Sequence, residues 1–231
     1  MKICIIPARS GSKRIKNKNI KKFLGKPIIG LVLQSLKKMK FFEKIIVTTD
    51  QKKIANISKK YGADVILYRD KKLLKDHIGT CEIVSNSIKK IRSQNIFPSL
   101  VFAVYPTSVF LEKKYLQKAI SVLKKNNSSF VFSAVKYPHP IQRSFFYKKN
   151  KLTQNFTKHK KTQTQKLISN YFDAGQFYLA KPKKWMKFDH VFQRNSMIVE
   201  IPYNECKDID EIEDWKLAEL IFKNYKKKLK D

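Results

Sequence analysis

Residues 2–19 read KICIIPARSGSKRIKNKN: an apolar run closed by a proline, then a cationic turn. The run at 2–7 is short and rich in isoleucine, which predicts a strand buried on both faces. Directly after it, Gly11 allows a sharp turn that brings backbone N–H groups toward an anion. Ser10 and Ser12 add hydroxyl donors, while Arg9, Lys13, Arg14 and Lys18 add the charge that a triphosphate requires. Ligands of open α/β sheets sit beyond the carboxyl ends of the strands, where this turn falls. The segment holds neither GKS/GKT nor GxGxxG, which disfavours a P-loop ATPase and a Rossmann dehydrogenase. A basic surface loop would have the same composition; its place after a strand favours a nucleoside triphosphate site.

Outward from this segment, apolar runs alternate with amphipathic ones. Strands are expected at 44–49, 64–68, 100–105 and 129–135, and helices at 28–39, 51–61, 80–94 and 113–125. That alternation predicts an α/β fold with a mainly parallel sheet covered on both faces. Residues 136–170 are polar and read as an excursion, whether a lid, an arm or a subunit contact. Strands return at 175–180 and 197–201. A final helix over 211–229 has Ile212, Trp215, Leu217, Ala218, Leu220 and Ile221 as its apolar positions.

At 231 residues the chain fits a single domain, with 136–170 as an inserted arm. Its apolar runs are far shorter than the ~20 residues that span a bilayer, and the start lacks a signal-peptide pattern. Cys4, Cys81 and Cys206 are widely spaced without a CxxC pair, which implies reduced thiols, a cytoplasmic location and no zinc site. The net charge of +32 suggests nucleic acid, yet only six of the 50 basic residues are arginine. Dispersed lysine without arginine forks favours solvated side chains, so neither nucleic acid nor membrane is an expected partner.

Near the end, Asp208 and Asp210 are two residues apart. In an extended segment they face one side and can share a cation. Helix capping is the competing explanation, with Asp210 as N-cap and Glu213 closing the box; the two roles can coexist.

The run IPARSGSKRIKNKNIKKFLGKPII at 6–29 resembles the opening signature of the sialic-acid-type cytidylyltransferases. Further matches follow in order: VTTD at 47–50, YGAD at 61–64, Arg69 with Asp76, YPTS at 105–108 and DID at 208–210. YPTS, KYPHPIQR at 136–143 and YFDAGQFY at 171–178 look most like the branch that uses pseudaminic acid. The resemblance implies a single Rossmann-like nucleotidyltransferase domain that moves CMP from CTP to a nine-carbon sugar acid, with Mg²⁺ at Asp208 and Asp210. It also implies a homodimer packed through the excursion.

By the same resemblance, Arg9, Lys13 and Lys18 are the catalytic cations. Ala8, Ser10, Gly11, Ser12, Asn19, Arg69 and Asp76 complete the nucleotide site. The sugar residues are expected among Tyr105, Gln142, Arg143, Gln176 and Tyr178. The implied chemistry is in-line attack of the sugar C2 hydroxyl on the α-phosphorus, driven by positioning and charge neutralisation. A sialic or legionaminic acid enzyme and a non-catalytic RNA-binding relative are the alternatives.

Overall fold

The computed structural model describes residues 1–75 and 77–228. Strand β1 (Lys2–Pro7) leads through the cationic turn and a small hairpin, β2 (Lys22–Phe23) and β3 (Lys26–Pro27), into helix α1 (Ile28–Met39). Then come β4 (Lys44–Thr49), α2 (Lys52–Lys60), β5 (Val65–Tyr68), α3 (Thr80–Arg92), β6 (Leu100–Val104), α4 (Lys113–Asn126) and β7 (Val131–Lys136). The excursion forms the hairpin β8 (Phe145–Lys148) and β9 (Lys151–Gln154). The chain closes with β10 (Tyr171–Ala180), α5 (Pro182–Lys187), β11 (Met197–Glu200) and α6 (Ile212–Lys228). Residue 229 of the expected last helix lies outside the described residues.

The main sheet has seven strands in the order β11-β7-β10-β6-β1-β4-β5. β1 pairs parallel with β4 and β6, β4 with β5, and β11 with β7. β10 runs antiparallel to both β6 and β7 because the chain re-enters the sheet from the ligand edge after the excursion. The carboxyl ends of β1, β4, β5 and β6 therefore share one edge with the amino half of β10.

Period-two alternation along β1 divides the core. Cys4 and Ile6 face α1, α4 and α6 on one side, while Ile3 and Ile5 face α3 and Trp185 on the other. The last helix departs from expectation. It buries Trp215, Ala218 and Phe222, whose spacing follows one helical face, whereas Leu217 and Leu220 are 46% and 60% exposed. The excursion is exposed along both strands of its hairpin, including Phe145, Phe146, Tyr147 and Leu152.

Candidate active site

The carboxyl edge of the sheet opens into a cleft of about 800 Å³. The turn after β1 forms one wall. Ala8 is buried and its N–H donates to the Thr48 carbonyl at 2.9 Å, which ties the start of the turn to β4. One residue past β4, Asp50 accepts the Ser10 N–H at 2.8 Å and the Ser10 hydroxyl at 2.5 Å. Ser10 thus differs from its expected part: both its donors hold the loop to Asp50 instead of facing the cleft. Asn19 is buried, and its side-chain amide donates to the Arg9 carbonyl at 2.8 Å. These bonds shape the turn so that Arg9, Ser12, Lys13, Lys18 and Asn19 line the cavity. Ala8, Ser10 and Gly11 form its frame and are not lining residues.

Arg69, just beyond β5, enters from the side and donates to the Thr48 carbonyl at 3.3 Å. Burial lowers its pKa to about 10, with Asp50 opposing and Arg9 adding to the shift. The guanidinium stays charged at neutral pH. Lys75 and Arg14 join the wall, so among the described residues six cations face the cleft against two carboxylates, Asp208 and Asp210. That excess suits a polyanion. Asp76 lies outside the described residues.

Asp208 and Asp210 come from the extended segment before α6 and face the same cavity as the turn. Asp210 meets Lys18 at 3.2 Å and Arg14 at 2.8 Å. Surrounding protein and the charge of Asp210 push the Asp208 carboxyl above its ordinary range, while Lys18 opposes the shift. A cation would relieve that repulsion, so this oxygen donor set fits a hard divalent ion that keeps water ligands. The capping arrangement differs from the expected one: Asp214, not Glu213, accepts the N–H groups of Asp210 and Glu211, at 3.1 and 2.9 Å. The Asp210 carboxylate is thereby left to face the cleft.

Of the expected sugar residues, Tyr105 lines the cleft at the end of β6. Tyr178 lies behind it, buried, with ring centroids 5.5 Å apart. Gln176 points elsewhere: its amide donates to the Glu205 carbonyl at 2.9 Å. Gln142 and Arg143 stand in the excursion, bonded to the Ile168 and Thr162 carbonyls, and do not line the cleft of this chain. Thr80 and Lys75 have no role in the sequence-based expectation, and Asp50 and Asp173 enter it only within VTTD and YFDAGQFY. An Asp directly after a buried strand was the available signal for Asp50; Thr80 and Asp173 offered none at short range.

Residues 3–227 match the model of a family described as cytidylyltransferase. The chain belongs to the cytidylyltransferase family. It is 37% identical over 222 residues to a pseudaminic acid cytidylyltransferase of Campylobacter jejuni, covering 96% of each chain. An N-acylneuraminate cytidylyltransferase of Escherichia coli is 28% identical, covering 94% of this chain and 51% of that one. Among solved structures, a CMP:2-keto-3-deoxy-manno-octonic acid synthetase complexed with CTP superposes with a TM-score of 0.72 at 11% identity, covering 97% and 99%. A 4-diphosphocytidyl-2C-methyl-D-erythritol synthase of Anaerococcus prevotii gives 0.65 at 16% identity, covering 96% of each. At such identities these two likenesses speak for the cytidylyltransferase fold alone.

Proposed function

We propose that this cytidylyltransferase transfers CMP from CTP to a nine-carbon acidic sugar, pseudaminic acid being the favoured acceptor, and releases pyrophosphate. The observation that carries the reading is the shared cleft. A cationic turn at 8–19 and two carboxylates near residue 210 converge on one cavity. The choice of sugar rests on the 37% identity to a pseudaminic acid enzyme along nearly the whole chain, against 28% for the N-acylneuraminate one.

Arg9, Ser12, Lys13 and Lys18 would bind the triphosphate, and Asn19 would hold the turn in register. Arg69 would reach the base. Their fixed charges neutralise the phosphates without reorganising as the reaction proceeds, which lowers the barrier to in-line attack by the sugar C2 hydroxyl. Asp208 and Asp210 would hold Mg²⁺, which when bound supplies charge neutralisation at the phosphate oxygens. Tyr105 would meet the sugar. No residue is assigned as general base.

The excursion would pack on a second copy, since Phe145, Phe146, Tyr147 and Ile168 are each exposed within a largely polar segment. Arg143 would then serve the partner's site. Three free cysteines support a reducing, cytoplasmic setting. No helix among the described residues is long and apolar enough to cross a membrane.

The test is pyrophosphate release by purified protein given CTP, Mg²⁺ and each of pseudaminic, sialic and legionaminic acid. Preference for pseudaminic acid is expected. Preference for another acid would move the assignment within the family, and no release with any acid would leave only a binding role.

A further inference from the structure

Strand β10 is not regular where it passes the cleft. Asp173 pairs with Ala134 and Tyr178 with Phe132, so five steps along β10 oppose two along β7. Gly175, at φ +60°, folds the extra residues out of the ladder. Two serine hydroxyls hold the bulge. Ser133 Oγ accepts the N–H groups of Gln176 and Phe177 at 3.2 Å each, and Ser108 Oγ donates to the Gln176 carbonyl at 2.9 Å.

Three consecutive residues of this bulge meet the segment that carries the cleft carboxylates. The Cys206 thiol donates to the Ala174 carbonyl at 3.4 Å. Gly175 lies against Asp208: a Cβ at this position would stand 3.9 Å from the Asp208 carboxylate. The Gln176 side-chain amide donates to the Glu205 carbonyl at 2.9 Å. Beyond Asp208, Ile209 is buried and its carbonyl accepts from Lys18 at 2.8 Å. Asp208 therefore stands between two fixed carbonyls, those of Glu205 and Ile209, with the bulge beneath it. Gln176 is 3% exposed, and its Oε1 has no hydrogen-bond partner among the described residues. An apolar side chain would avoid burying that acceptor, so stability alone is a poor reason for an amide here.

We propose that Gln176 is a positioning residue that sets the Asp208 carboxylate for a divalent ion, acting through the main chain at Glu205. The inference rests on the reading above in which Asp208 and Asp210 hold Mg²⁺. With the Glu205 carbonyl fixed, the carboxylate is ordered before the ion arrives. Without that bond, the ordering has to be done on binding and is subtracted from the affinity.

Gln176→Met is the informative variant, because it keeps the length of the buried side chain and removes the amide. In chelator-treated protein titrated with Mg²⁺ and followed by Tm, the apparent Kd for Mg²⁺ should rise about fivefold or more, the scale of one lost hydrogen bond. The Kd for CTP measured without metal should stay within about twofold, because the cationic turn is held by separate bonds from Asp50 and Asn19. On an Asp208→Asn background, Gln176→Met should add little to the loss of Mg²⁺ response. An unchanged Mg²⁺ affinity, an equal loss on metal-free CTP, or a penalty that persists in full on the Asp208→Asn background would each overturn the inference. Should Gln176→Met fail to fold, Gln176→Leu must weaken Mg²⁺ binding selectively, and its failure to do so would be equally fatal. Wild-type protein without any Mg²⁺ response would instead sink the metal reading, and this inference with it.

Discussion

Lys18 and Asp210, 192 positions apart, meet on the floor of the cleft: Lys18 Nζ lies 3.2 Å from Asp210 Oδ1 and donates to the Ile209 carbonyl at 2.8 Å. This pair joins the first turn of the chain to the segment before its last helix. On the proposed reading it sets a cation beside the transferred phosphate. Lys18→Met should lower kcat by about a hundredfold or more, the cost of one preorganised electrostatic partner. Steady-state kinetics would check this, and a loss confined to stability with kcat intact would speak against a role in the reaction.

Asp208 and Asp210 differ in their surroundings, and the difference is measurable. Asp210 is matched by Lys18 and Arg14, whereas Asp208 carries repulsion from Asp210. In chelator-treated protein, Mg²⁺ should raise the wild-type Tm, because an ion that binds only the folded state stabilises it. Asp208→Asn should blunt that response and abolish pyrophosphate release. A full Mg²⁺ response in this variant would place the ion elsewhere.

Asp214 governs a pH-dependent part of the stability. Partial burial raises its carboxyl, but Lys207 and the N–H groups of Glu211 and Asp210 outweigh that and leave it below the ordinary value of 3.8. A depressed carboxyl stabilises the fold fully above the unfolded value, and this share fades as pH falls through the folded one. Asp214→Ala should therefore cost about 1 kcal/mol near neutrality, as lost helix caps do. The gap to wild type should close in strong acid. Thermal melts across pH would read this; a constant gap would show that the carboxylate charge is irrelevant.

Asp50 clamps the turn through both donors of Ser10. Asp50→Ala frees the loop while leaving its cations in place. KM for CTP is expected to rise about tenfold through lost preorganisation, with a smaller change in sugar KM. Equal changes in both would argue against a loop-specific effect.

The excursion gives a prediction about assembly. The mass in solution should be twice the 27.2 kDa of one chain. Tyr147→Glu with Ile168→Glu, at positions 66% and 81% exposed, should yield monomers, since a charge buried in an apolar interface is costly. Light scattering after size exclusion distinguishes the two, and a monomeric wild type would remove the dimer from the proposal.

Residues 2–19 by themselves pointed to a buried strand followed by a cationic turn at the ligand edge of the sheet, which is where the structure has them. That was possible because a short isoleucine run and a cluster of cations around Gly11 are local features, read within a few positions. The alternation out to residue 135 was legible for the same reason. Strand and helix periods are short, and the structure follows them within two residues in most elements. Asp208 and Asp210 were visible as a pair because their spacing of two is itself the signal.

Other features depend on neighbours far away in the chain. That Ser10 faces Asp50, that Leu217 and Leu220 lie in solvent, and that Asp214 caps α6 all follow from packing between elements. The reach of Tyr178 to Asp173 is the clearest instance. Along the sequence it appears as plain alternation, and only the bulge anchored by Ser133 and Ser108 brings the two side chains together. Periodicity reports which side a residue takes while the ladder is regular; once partner strands impose a bulge, that rule lapses and the three-dimensional contacts decide.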